Sequence, residues 1–200
     1  MALKRLIRAV CTGVIGCLLI SLCGFTARCE GISDRVLRLH VLAASDSAED
    51  QAIKLKVRDA ILAEADGLLD GVMNTALAES MLTDALPKIQ QIAERVLVQN
   101  GVDDAVSVEL CDAYFHTRQY EHITLPAGEY RALRVVIGEG EGQNWWCMVF
   151  PPMCLSSACE TDWNGILTQE QTGIITDPAR YEVRFKVVEW MAQLREWVTR

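Results

Sequence analysis

The sequence predicts an α+β domain with a mixed sheet and packed helices, preceded by an N-terminal signal or anchor helix. Three observations carry this. A charge-free apolar run follows a basic cluster at the N-terminus, two long stretches then repeat their apolar residues at helical spacing, and the pattern changes to strict alternation near residue 106. With 200 residues, half of them hydrophobic, the chain is long enough for one core and too apolar for disorder. The reading divides it at residues 1–30 (signal peptide or anchor), 31–154 (α+β core) and 155–200 (a polar loop and a C-terminal amphipathic helix).

Residues 9–27 hold no charge, and a helix of that length nearly spans a hydrocarbon layer of ~30 Å. Lys4, Arg5 and Arg8 precede it, so the positive-inside rule leaves the N-terminus in the cytoplasm and sends the body across. Two readings compete: an uncleaved anchor, or a signal peptide cut near Cys23, where Ser21 and Cys23 supply small residues. Val14-Ile15-Gly16-Cys17 resembles a lipoprotein box, but cleavage there leaves a further apolar stretch at the mature end. The charge follows the same division. Residues 1–30 carry four basic side chains against Glu30, whereas the remaining 170 carry 15 basic and 26 acidic. So acidic a body is ill suited to nucleic acid or anionic lipid, whose phosphates require Lys and Arg.

Residues 35–42 alternate Val36, Arg38 and His40 with Leu37, Leu39 and Val41, as a strand does. Ser47, with Asp50 three residues on, predicts a helix start. In that helix Ile53, Val57, Ala60 and Ile61 share a face, Lys54 and Arg58 are expected outward with Asp50 one turn before Lys54, and the helix is expected to fade near Asp66-Gly67. A second helix is predicted from about residue 75 to 99, with a kink or break at Pro87 and a stop at Asn100-Gly101. Alternation then predicts a strand from Val106, a return strand over residues 114–123, a turn at Pro126-Ala127-Gly128, a strand over 130–137, a loop over Gly138–Gly142 and a strand from Trp145 to Phe150. Residues 155–178 read as a surface loop or linker. Tyr181, Phe185, Val188, Leu194 and Trp197 suggest a final amphipathic helix, with a strand start at Val183 as the alternative.

No catalytic set emerges from these elements. The three histidines, His40, His116 and His122, have no nucleophile or metal-ligand spacing around them; His40, followed by Asp46, could serve as a general base, but a histidine in a strand reads first as a structural hydrogen-bonding residue. Gly138, Gly140 and Gly142 mimic a phosphate loop, yet no Lys-Ser/Thr follows and Glu139 and Glu141 would repel phosphate. Four cysteines lie in the body: Cys111, Cys147, Cys154 and Cys159. Beyond a membrane they favour disulfides over zinc, since no CxxC pair exists, and the prolines between Cys147 and Cys154 would let those two meet. Trp145 and Trp146 must face opposite sides of one strand, so one is available as a partner-binding anchor.

Two blocks of sequence carry a resemblance. Leu39-His-Val-Leu-Ala-Ala-Ser-Asp-Ser47, followed by Glu49-Asp-Gln-Ala-Ile-Lys-Leu-Lys-Val-Arg-Asp59, resembles the opening motif of the stage II sporulation protein R family. Leu125-Pro-Ala-Gly-Glu-Tyr130, the acidic glycine run Gly138-Glu-Gly-Glu-Gly142 and Asn144-Trp-Trp-Cys-Met-Val-Phe-Pro-Pro-Met-Cys154 resemble its second block. The likeness covers roughly residues 35–154. It implies a non-enzymatic signalling protein of endospore formers, exported across the forespore membrane into the space between two membranes, and there either free or anchored. Its partner would be a membrane-embedded aspartic protease, stage II sporulation protein GA, which processes the inactive precursor of a mother-cell sigma factor. No cofactor and no metal is implied. The candidate partner-binding residues are His40, Asp46, Glu139, Glu141, Asn144, Trp145 and Trp146, with Cys147 and Cys154 a candidate disulfide. The alternative is an exported cell-wall or peptide hydrolase using Cys147, or His40 with a carboxylate.

Overall fold

A computed structural model describes residues 2–120, 123–151, 163, 165–177, 181 and 184–190. The architecture is α+β, as the sequence predicts, and two compact units divide the chain.

The larger unit takes in residues 33–114 and 129–168. Its four-stranded sheet has the order β2-β5-β1-β6, with β1 at Leu37–Leu42, β2 at Val106–Phe115, β5 at Gly128–Ile137 and β6 at Asn144–Phe150. Strand β1 runs parallel to β5 and antiparallel to β6. The parallel pair needs a long crossover, and α2 (Ala48–Leu69) and α3 (Thr75–Gln99) lie within it. These two helices pack on each other, and α2 also contacts β1 and β6. Because it is central, β1 buries both faces: Leu39 and Val41 on one, Arg38 and His40 on the other.

Helix α2 starts where expected, the Ser47 hydroxyl accepting the Asp50 N–H at 3.0 Å. It does not fade at Asp66-Gly67 but continues to Leu69. Leu62, Ala65 and Leu69 extend its buried stripe, and that burial outweighs the ~1 kcal/mol cost of an interior glycine. Helix α3 is also unbroken at Pro87. Pro87 forfeits one backbone bond on an exposed face, while Leu82, Ile89, Ala93 and Leu97, before and after it, keep the helix buried along its opposite side. Its C-terminus closes at Asn100-Gly101: the Val102 N–H reaches the Leu97 carbonyl at 3.0 Å and the Gly101 N–H reaches Val98 at 3.1 Å. Gly101 takes φ +71°, the left-handed position such a cap requires.

The smaller unit takes in residues 1–32, 115–128 and 169–200. The return strand expected over 114–123 is not formed as such. Strand β2 runs straight on to Phe115, and β3 (Arg118–Gln119) pairs with β4 (Thr124–Leu125) in a separate antiparallel ribbon; His122 lies outside the described residues. Within the stretch expected as loop, Gln169–Thr176 forms helix α4, with Ile174 and Ile175 buried. Two buried isoleucines give this short segment an apolar side that its polar composition hides. Residues 184–190 are helical, which decides against the strand alternative there, while Leu194 and Trp197 lie outside the described residues.

Helix α1 spans Ala2–Ser33 and is long and apolar enough, by length and composition, to cross a membrane. Its two ends differ. Leu6, Ile7, Val10, Val14, Ile15 and Ile20 are exposed, whereas Phe25, Cys29 and Ile32, at offsets 0, 4 and 7, are buried. The Phe25 ring stacks on Tyr181 with centroids 5.6 Å apart and meets Phe185 edge-on at 5.7 Å. Arg28 pairs with Glu170 of α4 at 3.0 Å, and a Cβ at Gly31 would sit 2.6 Å from the buried Gln171 side chain. The last turns of α1 thus belong to a folded core. Phe25→Ala should destabilise this unit by about 3–5 kcal/mol, the usual cost of truncating a buried phenylalanine. Leu6→Ala should leave stability in detergent unchanged, and chemical denaturation followed by far-UV circular dichroism checks both.

Candidate functional site

The two motif blocks, about 90 residues apart in sequence, meet at the upper end of β1. The chain leaves β1 through Ala43–Ser47 and enters α2, while the Gly138–Gln143 loop joins β5 to β6 beside it. The Gly142 N–H donates to the Ala43 carbonyl at 2.9 Å, and the Gly138 N–H to Ala105 at 2.7 Å. At Gly142 a Cβ would stand 2.9 Å from the Ala43 Cβ and closer still to the Ser45 carbonyl, so only glycine permits this approach. Asp46 accepts the Gln143 N–H at 2.7 Å. Lys54, nearly two turns into α2, donates from Nζ to the Gln143 carbonyl at 2.8 Å and to Gln51 Oε1 at 2.5 Å. Gln51 in turn donates to the Ser45 carbonyl at 2.8 Å, and the Ser45 hydroxyl to the Asp50 carboxylate.

Lys54 is therefore not outward, as the helix pattern led one to expect, but 4% exposed. Burial pushes its pKa down, Asp46 pulls it back up and Arg58 pushes it down again. The expected Asp50–Lys54 pairing gives way because Ser45 engages Asp50 and the Gln143 carbonyl engages Lys54. A signal for this existed. Lys54 lies three residues before Val57 and seven before Ile61, on the edge of the apolar stripe itself. Gln51 and Gln143 gave no comparable sign.

His40 is placed by β1 with its ring on the sheet face opposite Leu39 and Val41. Its register partners are Trp146 on β6 and Arg134 on β5. The imidazole stacks on the Trp146 ring (centroids 3.8 Å apart, planes 11° from parallel), and Nε2 lies 2.8 Å from Asn144 Oδ1. With an amide oxygen as acceptor the ring donates from Nε2. Burial depresses the His40 pKa below 6.5, the Asn144 bond opposes this, and the Arg134 charge adds to it. On the same face Arg38 is fully buried, its Nε donating to the Cys147 carbonyl at 2.9 Å and its guanidinium 5.0 Å from the centre of the Tyr130 ring.

Of the sequence-chosen residues, His40, Asn144 and Trp146 form one cluster. Asp46 is committed to the backbone of Gln143, and Glu139 and Glu141 stand exposed on the loop. Trp145 faces the other side of β6, 37% exposed, with the Arg58 guanidinium 4.2 Å from its ring centre and Arg58 bonded to Asp59. Cys147 is buried and disulfide-bonded, so it carries no nucleophilic thiol. Cys154 lies outside the described residues. His116 sits in the smaller unit, Nδ1 3.4 Å from Glu189. Among the described residues no group of three or more His, Cys, Asp or Glu is arranged to hold a metal ion.

Fold and site define an α+β domain whose polar network ties two distant sequence blocks into one surface. The profile of the family described as stage II sporulation protein R (spore_II_R) matches residues 33–160, and the chain belongs to that family. It is 37% identical over 123 residues to stage II sporulation protein R of Bacillus subtilis (strain 168), which takes in 62% of this chain and 55% of that protein. The chain thus aligns with only about half the length of this curated relative. No solved structure matches it.

Two measurements follow from the geometry. Lys54→Met keeps the buried stem but leaves the Gln143 carbonyl without its charged donor, and should cost about 2 kcal/mol in chemical denaturation. Lys56→Met, at an exposed neighbour, should stay within about 0.5 kcal/mol. For His40 the folded pKa lies below the unfolded value, so its contribution is complete above pH 6.5 and is lost as pH falls from there towards the folded pKa. NMR titration of the ring should place it below 6.5, Asn144→Ala should move it further down, and His40→Gln should flatten stability across that window.

Proposed function

We propose that this chain is an exported sporulation signal that activates a membrane-embedded aspartic protease, the stage II sporulation protein GA type, and so releases a mother-cell sigma factor from its precursor. The observation that carries the reading is family membership over a segment that includes both halves of the Lys54–Gln143 lock. The lock holds Glu139, Glu141 and Trp145 at a fixed place beside α2, a rigid display suited to recognition. Helix α1, with its basic start and exposed apolar length, supports delivery across a membrane, either by an anchor or by a signal segment. The mechanism is a shift of population: the body binds the protease's active state in preference to its resting one. Trp145 is the anchor of that contact, with the His40–Asn144–Trp146 cluster fixing β6 behind it. The hydrolase reading gains nothing from the site, since Cys147 is disulfide-bonded and His40 is bonded to an amide.

Co-expression of this chain with the protease and the precursor in a non-sporulating host should yield cleaved precursor. Trp145→Ala should weaken activation by roughly thirtyfold, as loss of a ~2 kcal/mol interface anchor does. Absence of cleavage despite confirmed export would overturn the reading.

A further inference from the structure

We propose that the groove between α3 and the outer strand β2 is a second docking site, which takes an extended, basic segment of a partner protein as an added strand. The identity of that partner rests on the proposed function. The groove itself does not.

Strand β2 is ten residues long and ends the sheet, and no described strand lies beyond it. Such an edge presents a row of backbone N–H and C=O groups, the template for strand addition. Beside it lies a groove of about 450 Å³, lined by Leu86, Pro87, Gln90, Gln91 and Glu94 of α3 and by Val108 of β2. Its lining mixes apolar Leu86, Pro87 and Val108 with amide and acid groups, a combination suited to the side chains of a bound strand. Pro87 itself is part of that lining.

Charge selects the occupant. Glu94 lines the groove, its Oε1 accepting the Gln90 Nε2–H at 3.0 Å. Asp103 and Asp104 lead into β2, and Glu109 and Asp112 project from it, all exposed. Against these acids stand Arg131, shared between Glu79 (2.6 Å) and Asp112 (3.5 Å), and Arg134, 3.6 Å from Glu109. Lys88 is turned to Glu64 of α2, and Arg95 lies two turns on along that same side. The edge is left net negative, so a strand bearing Lys or Arg is favoured and an acidic strand repelled.

The test uses the full chain in detergent and a fluorescent eight-residue peptide of alternating Val and Lys. Saturable binding is expected, with about tenfold loss in Glu94→Lys and in Gln91→Trp, which fills the groove. Glu49→Lys makes the same charge change at the exposed start of α2 and should bind as the parent does. Equal binding by Glu94→Lys and Glu49→Lys, or none by the parent, overturns the proposal. In the co-expression assay a photocrosslinker at Gln91 should capture the protease, whereas one at Lys56 should not. Peptide binding without any precursor cleavage would defeat the functional reading and leave the groove standing; cleavage unchanged by Gln91→Trp would defeat the groove as the protease's site.

Discussion

The ammonium of Lys54, buried against the Gln143 carbonyl, is the contact on which the rest of this surface depends. A charged group withdrawn from water is tolerated only where its donors are used, and here Gln51, Gln143 and the nearby Asp46 carboxylate provide for it. Removing any one of them deprives the buried ammonium of a partner. The network therefore acts as a unit, and it makes the start of α2 and the turn between β5 and β6 one rigid object.

That rigidity passes to the sheet. Strand β1 sits between β5 and β6, so the same residues that lead into the lock also set the register on both sides: His40 opposite Arg134 and Trp146, Leu42 opposite Val136 and Asn144. A slip of one residue would turn His40 and Arg38 into the α2 side and expel Leu39 and Val41. The close approach of Gly142 to Ala43 and Ser45, with its N–H bonded to the Ala43 carbonyl, belongs to the native register. Trp145 and Trp146 are thereby sent to opposite faces, one to an arginine on a helix and the other to an imidazole.

Much of this was legible in the sequence, for identifiable reasons. Local chemistry announced itself: Ser47 as a cap, Asn100-Gly101 as a stop, the glycine run as a turn and the two tryptophans as alternating. Tertiary decisions did not. Lys54 looks like a solvent-facing lysine until Gln143 is brought to it from 89 residues away. Pro87 looks like a breaker because propensity cannot see the packing that holds α3 together around it. Residues 169–176 look like linker because two isoleucines among polar neighbours give too short a pattern. Cys147 is disulfide-bonded, and the candidate partner Cys154 lies outside the described residues.

Helix α1 poses the last constraint. Six large apolar side chains, from Leu6 to Ile20, are exposed along its first two-thirds, and each exposed leucine or isoleucine forgoes about 1.5–3 kcal/mol relative to burial. That uncovered apolar length is long enough to cross a bilayer and is compatible with an anchor or a removable signal segment. The remaining third cannot be removed with it, because Phe25, Cys29 and Ile32 are core residues and Arg28 is paired to α4. Any cut that spares the fold must fall before Phe25. The excess of positive charge in residues 1–30 and the acidity beyond them then bracket one helix: a basic start with exposed apolar length, and a finish packed into the core of the smaller unit.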